Sequence, residues 1–223
     1  HLGRIYKVDG WVSTPIAQRF AMKLREHGFK VANHDHVYLN FTSQIPVGEA
    51  RVSTRTVESW FVYVDVGVLP QDVSKVDTNT QSRSIIRIIA RALRALCNRK
   101  SDSGVVDEVE QLMLKGGPSI EFSHREKETH KYRVKVVFQI SPTKGTSPVF
   151  VEYLDKNAHR SGRARLAELE FFDDIFYLIA GISVRGDVIE MKPRSSFKAN
   201  VHLKRYQVPL QITLSEVLRG ERS

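Results

Sequence analysis

Arginines are the residues of this chain best placed to do chemistry. At about 100° per residue, Arg83, Arg87, Arg91 and Arg94 share one stripe of a predicted helix over 81–100, while Ile85, Ile88, Ile89, Ala92, Leu93 and Leu96 fill the other side. No Asp or Glu occurs between Asp77 and Asp102. A solvated helix is ordinarily laced by acid-to-base pairs four apart, and here the acidic partners are missing. Guanidinium forks match the paired oxygens of carboxylates and phosphates alike, so the stripe calls for an anion without choosing its kind. Arg160, Arg163 and Arg165 form a second cluster in a segment read as a loop. A third basic stretch runs from Lys192 through Arg194, Phe197 and Lys198 to Lys204, Arg205 and Tyr206. One rival to an external anion lies within the chain: Glu168, Glu170, Asp173 and Asp174 make an acidic run able to pair with Arg83, Arg87, Arg91 and Arg94.

The carboxylates offer one constellation of their own. Glu190 and Lys192 alternate on one face of a predicted strand, downstream of Asp173 and Asp174. Two carboxylates holding Mg²⁺ over a scissile phosphate, with a lysine positioning the attacking water, is nuclease chemistry. The stretch 173–192 resembles the motif of the PD-(D/E)xK nucleases, without the proline before the aspartate. That resemblance implies Asp174, Glu190 and Lys192 as the site; a cross-strand ion-pair ladder is the competing reading of the same residues. His34-Asp35-His36 sets two imidazoles two apart, yet two ligands do not close a metal site, and the stretch reads as a polar turn. Gly116-Gly117 stops a helix and lacks the Lys-Ser/Thr of a phosphate loop. No Gly-x-Ser-x-Gly elbow singles out a nucleophile, and the single cysteine, Cys97, reads as packing. Neither a catalytic group, a metal nor a cofactor is therefore expected.

These side chains must be held by a folded core, and the chain is long enough to build one. Of 223 residues, 41% are hydrophobic and 26% charged; 34 Lys and Arg against 25 Asp and Glu leave a net charge of +9, a field that favours acidic partners. No stretch approaches the ~20 apolar residues of a membrane span, and the opening residues hold no apolar run of signal-peptide type. The expected location is the cytoplasm.

Periodicity sets out the elements. A strand is predicted over 4–12, then a helix from Ser13-Thr14-Pro15 in which Ile16, Phe20 and Leu24 recur before Gly28. Strands are predicted at 37–42 and 60–68, the arginine helix next, a polar turn at 98–104, and a helix at 105–115. His124 and His130 bracket a mixed-charge turn. Tyr132 to Ile140 alternates apolar with basic residues and pairs with Val149 to Leu154; 163–180 reads as a helix; a hairpin spans 182–191; strands follow at 199–203 and 207–214. The class is α+β, a mixed and mainly antiparallel sheet with three to four helices and a strand-rich second half. The chain reads as a single domain, 1–223, with a subdivision at 1–100 and 104–223.

The functional expectation is a non-catalytic binding protein whose basic surface docks on an acidic protein, as an inhibitor or a toxin-neutralising immunity protein does. Its binding residues would be Arg83, Arg87, Arg91, Arg94, Arg160, Arg163 and Arg165. The alternative is a nucleic-acid binder, in its enzymatic form a Mg²⁺-dependent nuclease. No helix-turn-helix, zinc finger or RNP-type motif accompanies it, although Phe197 and Tyr206 are placed to stack on bases.

Overall fold

The computed structural model describes residues 10–31, 34–69, 78–143 and 145–220, and the chain divides into two compact units, 1–120 and 121–223. In the first unit, α1 (Gly10–Glu26) buries Ile16, Phe20 and Leu24, the four-apart set read from sequence. The helix starts at Gly10, so residues 10–12 of the expected strand are helical; the rest of that strand lies outside the described residues. Three strands follow: β1 (His36–Thr42), β2 (Ala50–Val52) and β3 (Phe61–Gly67), in the order β1-β3-β2. β1 runs parallel to β3 and β2 antiparallel to it. Pleating sends Val37, Leu39, Phe41, Val64 and Val66 to one face, where they pack against Ile88 and Ala92.

Those two residues belong to the arginine helix, α2 (Thr78–Arg94), which packs against α3 (Lys100–Gly116) and α1. The apolar arc of α2 is wider than periodicity requires. Ile85, Ile86, Ile88, Ile89, Ala90, Ala92 and Leu93 are all buried, each isoleucine contributing about 1.5–3 kcal/mol relative to an exposed one. The polar stretch 98–104 contains the end of the short turn between α2 and α3 and the first residues of α3, which begins five residues before the helix expected from Val105.

The second unit opens with a four-stranded antiparallel meander: β4 (Glu121–Glu128), β5 (Tyr132–Gln139), β6 (Ser147–Asp155) and β7 (Arg160–Leu169). After it come the short helix α4 (Ile175–Leu178), the hairpin of β8 (Gly181–Arg185) and β9 (Val188–Lys192), α5 (Phe197–Leu203), β10 (Leu210–Thr213) and α6 (Leu214–Arg219). β10 joins β9 antiparallel, and Thr213 and Glu216 cap the start of α6 with reciprocal side-chain to backbone hydrogen bonds. The α+β class and the strand-rich second half are as read from sequence, with six α-helices among the described residues instead of three to four.

Further local expectations are overturned, each for a physical reason. The helix expected over 163–180 is β7 up to Leu169 and α-helical only at Ile175–Leu178. Arg165 faces Phe150 while Ala167 faces Val149, so Leu166 is an extra residue; the bulge breaks the period of two and leaves Leu166 and Leu169 at a helix-like spacing. The strand expected over 199–203 is α5, because the Ser196 hydroxyl accepts from the Ala199 amide at 3.1 Å and Ala199 and Leu203 are buried one turn apart. The mixed-charge turn after His124 is strand β4, whose Glu126 and Glu128 sit opposite Lys135 and Arg133 of β5.

Candidate functional site

The arginine stripe divides into two roles. Arg83 donates to the Leu114 carbonyl at 3.1 Å, near the C-terminus of α3, where a cation also complements the helix dipole. At the other end of the antiparallel pair, Arg94 binds Asp107 at 2.7 Å and also Glu110. Its own burial works against its charge, but these two carboxylates outweigh that and hold its pKa above the ordinary value. Arg83 and Arg94 are thus staples between α2 and α3. Between them, Arg87 is exposed and Arg91 half-buried, and neither makes a hydrogen bond or ion pair among the described residues.

The second cluster lies on a strand, not the expected loop. Arg163 bridges Glu121 and Glu152, with its guanidinium 4.2 Å above the Phe150 ring. Burial raises the Glu121 carboxyl, yet Arg163 more than offsets this and holds it below the usual carboxylate range. Arg165 pairs with Glu168 at 2.6 Å. Arg160, opposite Asp155 across the β6–β7 ladder, is exposed. The acidic run is likewise engaged within its own unit, Glu168 by Arg165 and Thr146, Glu170 and Asp174 by Arg205.

Asp174 has the most enclosed carboxylate of the unit, at 1% exposure. His202 Nδ1 lies 2.8 Å from one oxygen, while the Tyr206 hydroxyl donates to the other at 2.6 Å and Arg205 reaches it at 3.3 Å. Glu190 and Lys192 do share a face of β9, but Glu190 accepts from Gln211 at 3.1 Å on the neighbouring strand. Asp174 is therefore committed to a structural cluster, and Glu190 to a cross-strand pair. No group of three or more His, Cys, Asp or Glu residues suited to a metal is found among the described residues.

Two surfaces stand out that spacing alone does not single out. On α5, Phe197 is 87% exposed and Val201, one turn on, 48%. Arg194, Lys198 and Lys204 are exposed on and beside this helix, and no Asp or Glu occurs between Glu190 and Glu216. Basic composition marks this segment in the sequence; reading it as a strand hides the shared face of Phe197 and Val201. In the first unit, the sheet face opposite the helices carries a run of rings. Tyr38 stacks on Tyr63 with centroids 5.1 Å apart, Phe61 meets both Tyr38 and His36, and Trp60 abuts His36 and Phe61. Arg55 lies 4.7 Å over the Tyr63 ring. The alternating rings of β1 and β3 are visible in sequence, but their meeting depends on a parallel register that no local pattern specifies.

Comparison with known families, curated proteins and solved structures finds no match to this chain.

Proposed function

We propose that this protein is a non-catalytic binding protein that docks a basic surface on an acidic protein partner, in the manner of a cytoplasmic inhibitor or a toxin-neutralising immunity protein. One observation carries the reading: Phe197 is 87% exposed beside Arg194, Lys198 and Lys204, in a segment free of carboxylates. A large ring left in water is a liability to a folded chain and an asset to an interface, where aromatic anchors supply most of the affinity. Flanking cations steer an acidic partner and fix its register. Arg87 and Arg91 on α2 offer a second cationic surface, free of internal ion pairs among the described residues.

The test is a pull-down from native lysate, with and without nuclease treatment, using the wild type and Phe197→Asp. Retention of one stoichiometric acidic protein that resists nuclease and is lost in Phe197→Asp supports the reading. Loss of all retained material on nuclease digestion overturns it.

A second reading, binding of single-stranded nucleic acid, is favoured by the ring array on the sheet face with Arg55 above Tyr63. Bases stack on such rings without sequence preference. Quenching of tryptophan fluorescence by an oligonucleotide, absent in Tyr38→Ala, is its signature. Its nuclease form would use Glu190 and Lys192; Mg²⁺-dependent cleavage that disappears in Glu190→Gln is what it requires.

A further inference from the structure

The first unit holds a cleft of about 610 Å³ between α1, residues 28–31 and 34–39, and α2. Its volume falls in the range of small-molecule sites, about 300–1,000 Å³. The floor is apolar: Phe20, Leu24, Phe29, Leu39, Ile89 and Leu93 line it. Ala17 and Ala21 line it from α1, and their short side chains leave room where larger residues would close it.

The polar lining is concentrated in one part of the sequence. Arg25 and Lys30 line the cleft, are exposed, and make no ion pair among the described residues. Asp35 is the one carboxylate of the lining, so with Arg25 and Lys30 its fixed charge stays positive. His34 also lines the cleft, with its Nδ1 shut away from solvent and without a hydrogen-bond partner among the described residues. An apolar floor beside two cations without ion pairs among the described residues suits an amphiphilic anion, of which an alkyl chain ending in a carboxylate is the simplest.

We infer that this cleft binds an amphiphilic carboxylate of fatty-acid type, its chain on the Phe20, Leu24 and Leu93 floor and its carboxylate held by Arg25 and Lys30. The inference is independent of partner docking, because it uses neither α5 nor the exposed arginines of α2.

Decanoate, decanol and decylamine titrated into the protein by calorimetry provide the test. Decanoate saturates at one molecule per chain; decanol, with the same chain and no charge, binds about tenfold more weakly, the scale of one charge-assisted contact. Arg25→Gln with Lys30→Gln brings decanoate down to the decanol level. Ala21→Trp, an exposed position whose new ring occupies the cleft, removes binding of both while the melting temperature stays that of the wild type. Equal affinity for decanoate and decylamine, absence of saturable decanoate binding, or decanoate binding undiminished in Ala21→Trp each overturns the inference.

Discussion

Tyr206 donates its hydroxyl hydrogen to the buried carboxylate of Asp174 at 2.6 Å, and the same oxygen accepts from the Glu170 amide at 2.9 Å. Burial first, and the neighbouring Asp174 second, push the phenol up from 10.0 to about 12. Ionising it would set a phenolate against a carboxylate in a poorly hydrated site. With the folded value above the unfolded one, the stability this group contributes is intact below pH 10.0 and is lost as pH rises toward about 12. An alkaline absorbance titration therefore contains a late-ionising contribution from Tyr206, beside the upward shift that burial and Asp155 give Tyr153, and Tyr206→Phe removes the Tyr206 contribution. Asp174→Ala leaves His202 and the Tyr206 hydroxyl without their shared acceptor, and costs about 1–3 kcal/mol in urea unfolding.

Arg94 and Arg87 are one stripe by sequence and two classes by partner. Arg94→Ala leaves Glu110, only 8% exposed, without its cation, and costs about 1–3 kcal/mol of unfolding free energy. Arg87→Glu, exposed and unpaired, stays within about 0.5 kcal/mol of wild type. Equal destabilisation by the two substitutions would contradict the division of the stripe.

His124 donates from Nε2 to the Ile179 carbonyl at 2.7 Å and packs edge-on against Phe176. Burial lowers its pKa below 6.5, only partly offset by that carbonyl, with Arg125 adding to the depression. Because the unfolded chain then binds the proton more tightly, the contribution is full above pH 6.5 and is lost as pH falls through the depressed folded value. Melting temperatures of the wild type and His124→Gln, compared between neutral and mildly acidic pH, converge on the acidic side. A constant gap between them would refute the assignment.

Gly162 sits in β7 where α6 crosses it. A Cβ at this position would lie 2.2 Å from the Val217 carbonyl oxygen and 2.7 Å from the Leu218 Cα, both backbone atoms that no rotamer change can move. Gly162→Ala forces α6 off the strand and costs at least about 2 kcal/mol by thermal or urea unfolding. Gly104→Ala, on α3 with open space around its Cβ, is neutral or stabilising.

Much of the fold is legible in local pattern. The apolar and charged alternation of β5, the β8–β9 hairpin around Gly186, and the four-apart core of α1 are all set by side-chain periods of two or 3.6 that need no distant information. Where a local defect alters the period, the pattern misleads. The bulge at Leu166 makes a strand look helical, and a seryl cap turns 197–203 into a helix that its β-branched Val201 and basic flanks disguise as a strand.

The chain by itself determined the α+β class, the arginine helix and the cationic excess, because composition and short-range spacing carry them. Which of those arginines remain free was decided only by tertiary structure. Arg83 and Arg94 find their partners on α3, and Arg163 finds Glu121, 42 positions away in sequence. An ion pair depends on where the fold brings two side chains together, and charge along a chain does not encode that. The same holds for the rings of β1 and β3 and for the Arg25, Lys30 and His34 cleft. Each is assembled by strand register and helix packing from residues that, in sequence, look like ordinary strand and surface positions.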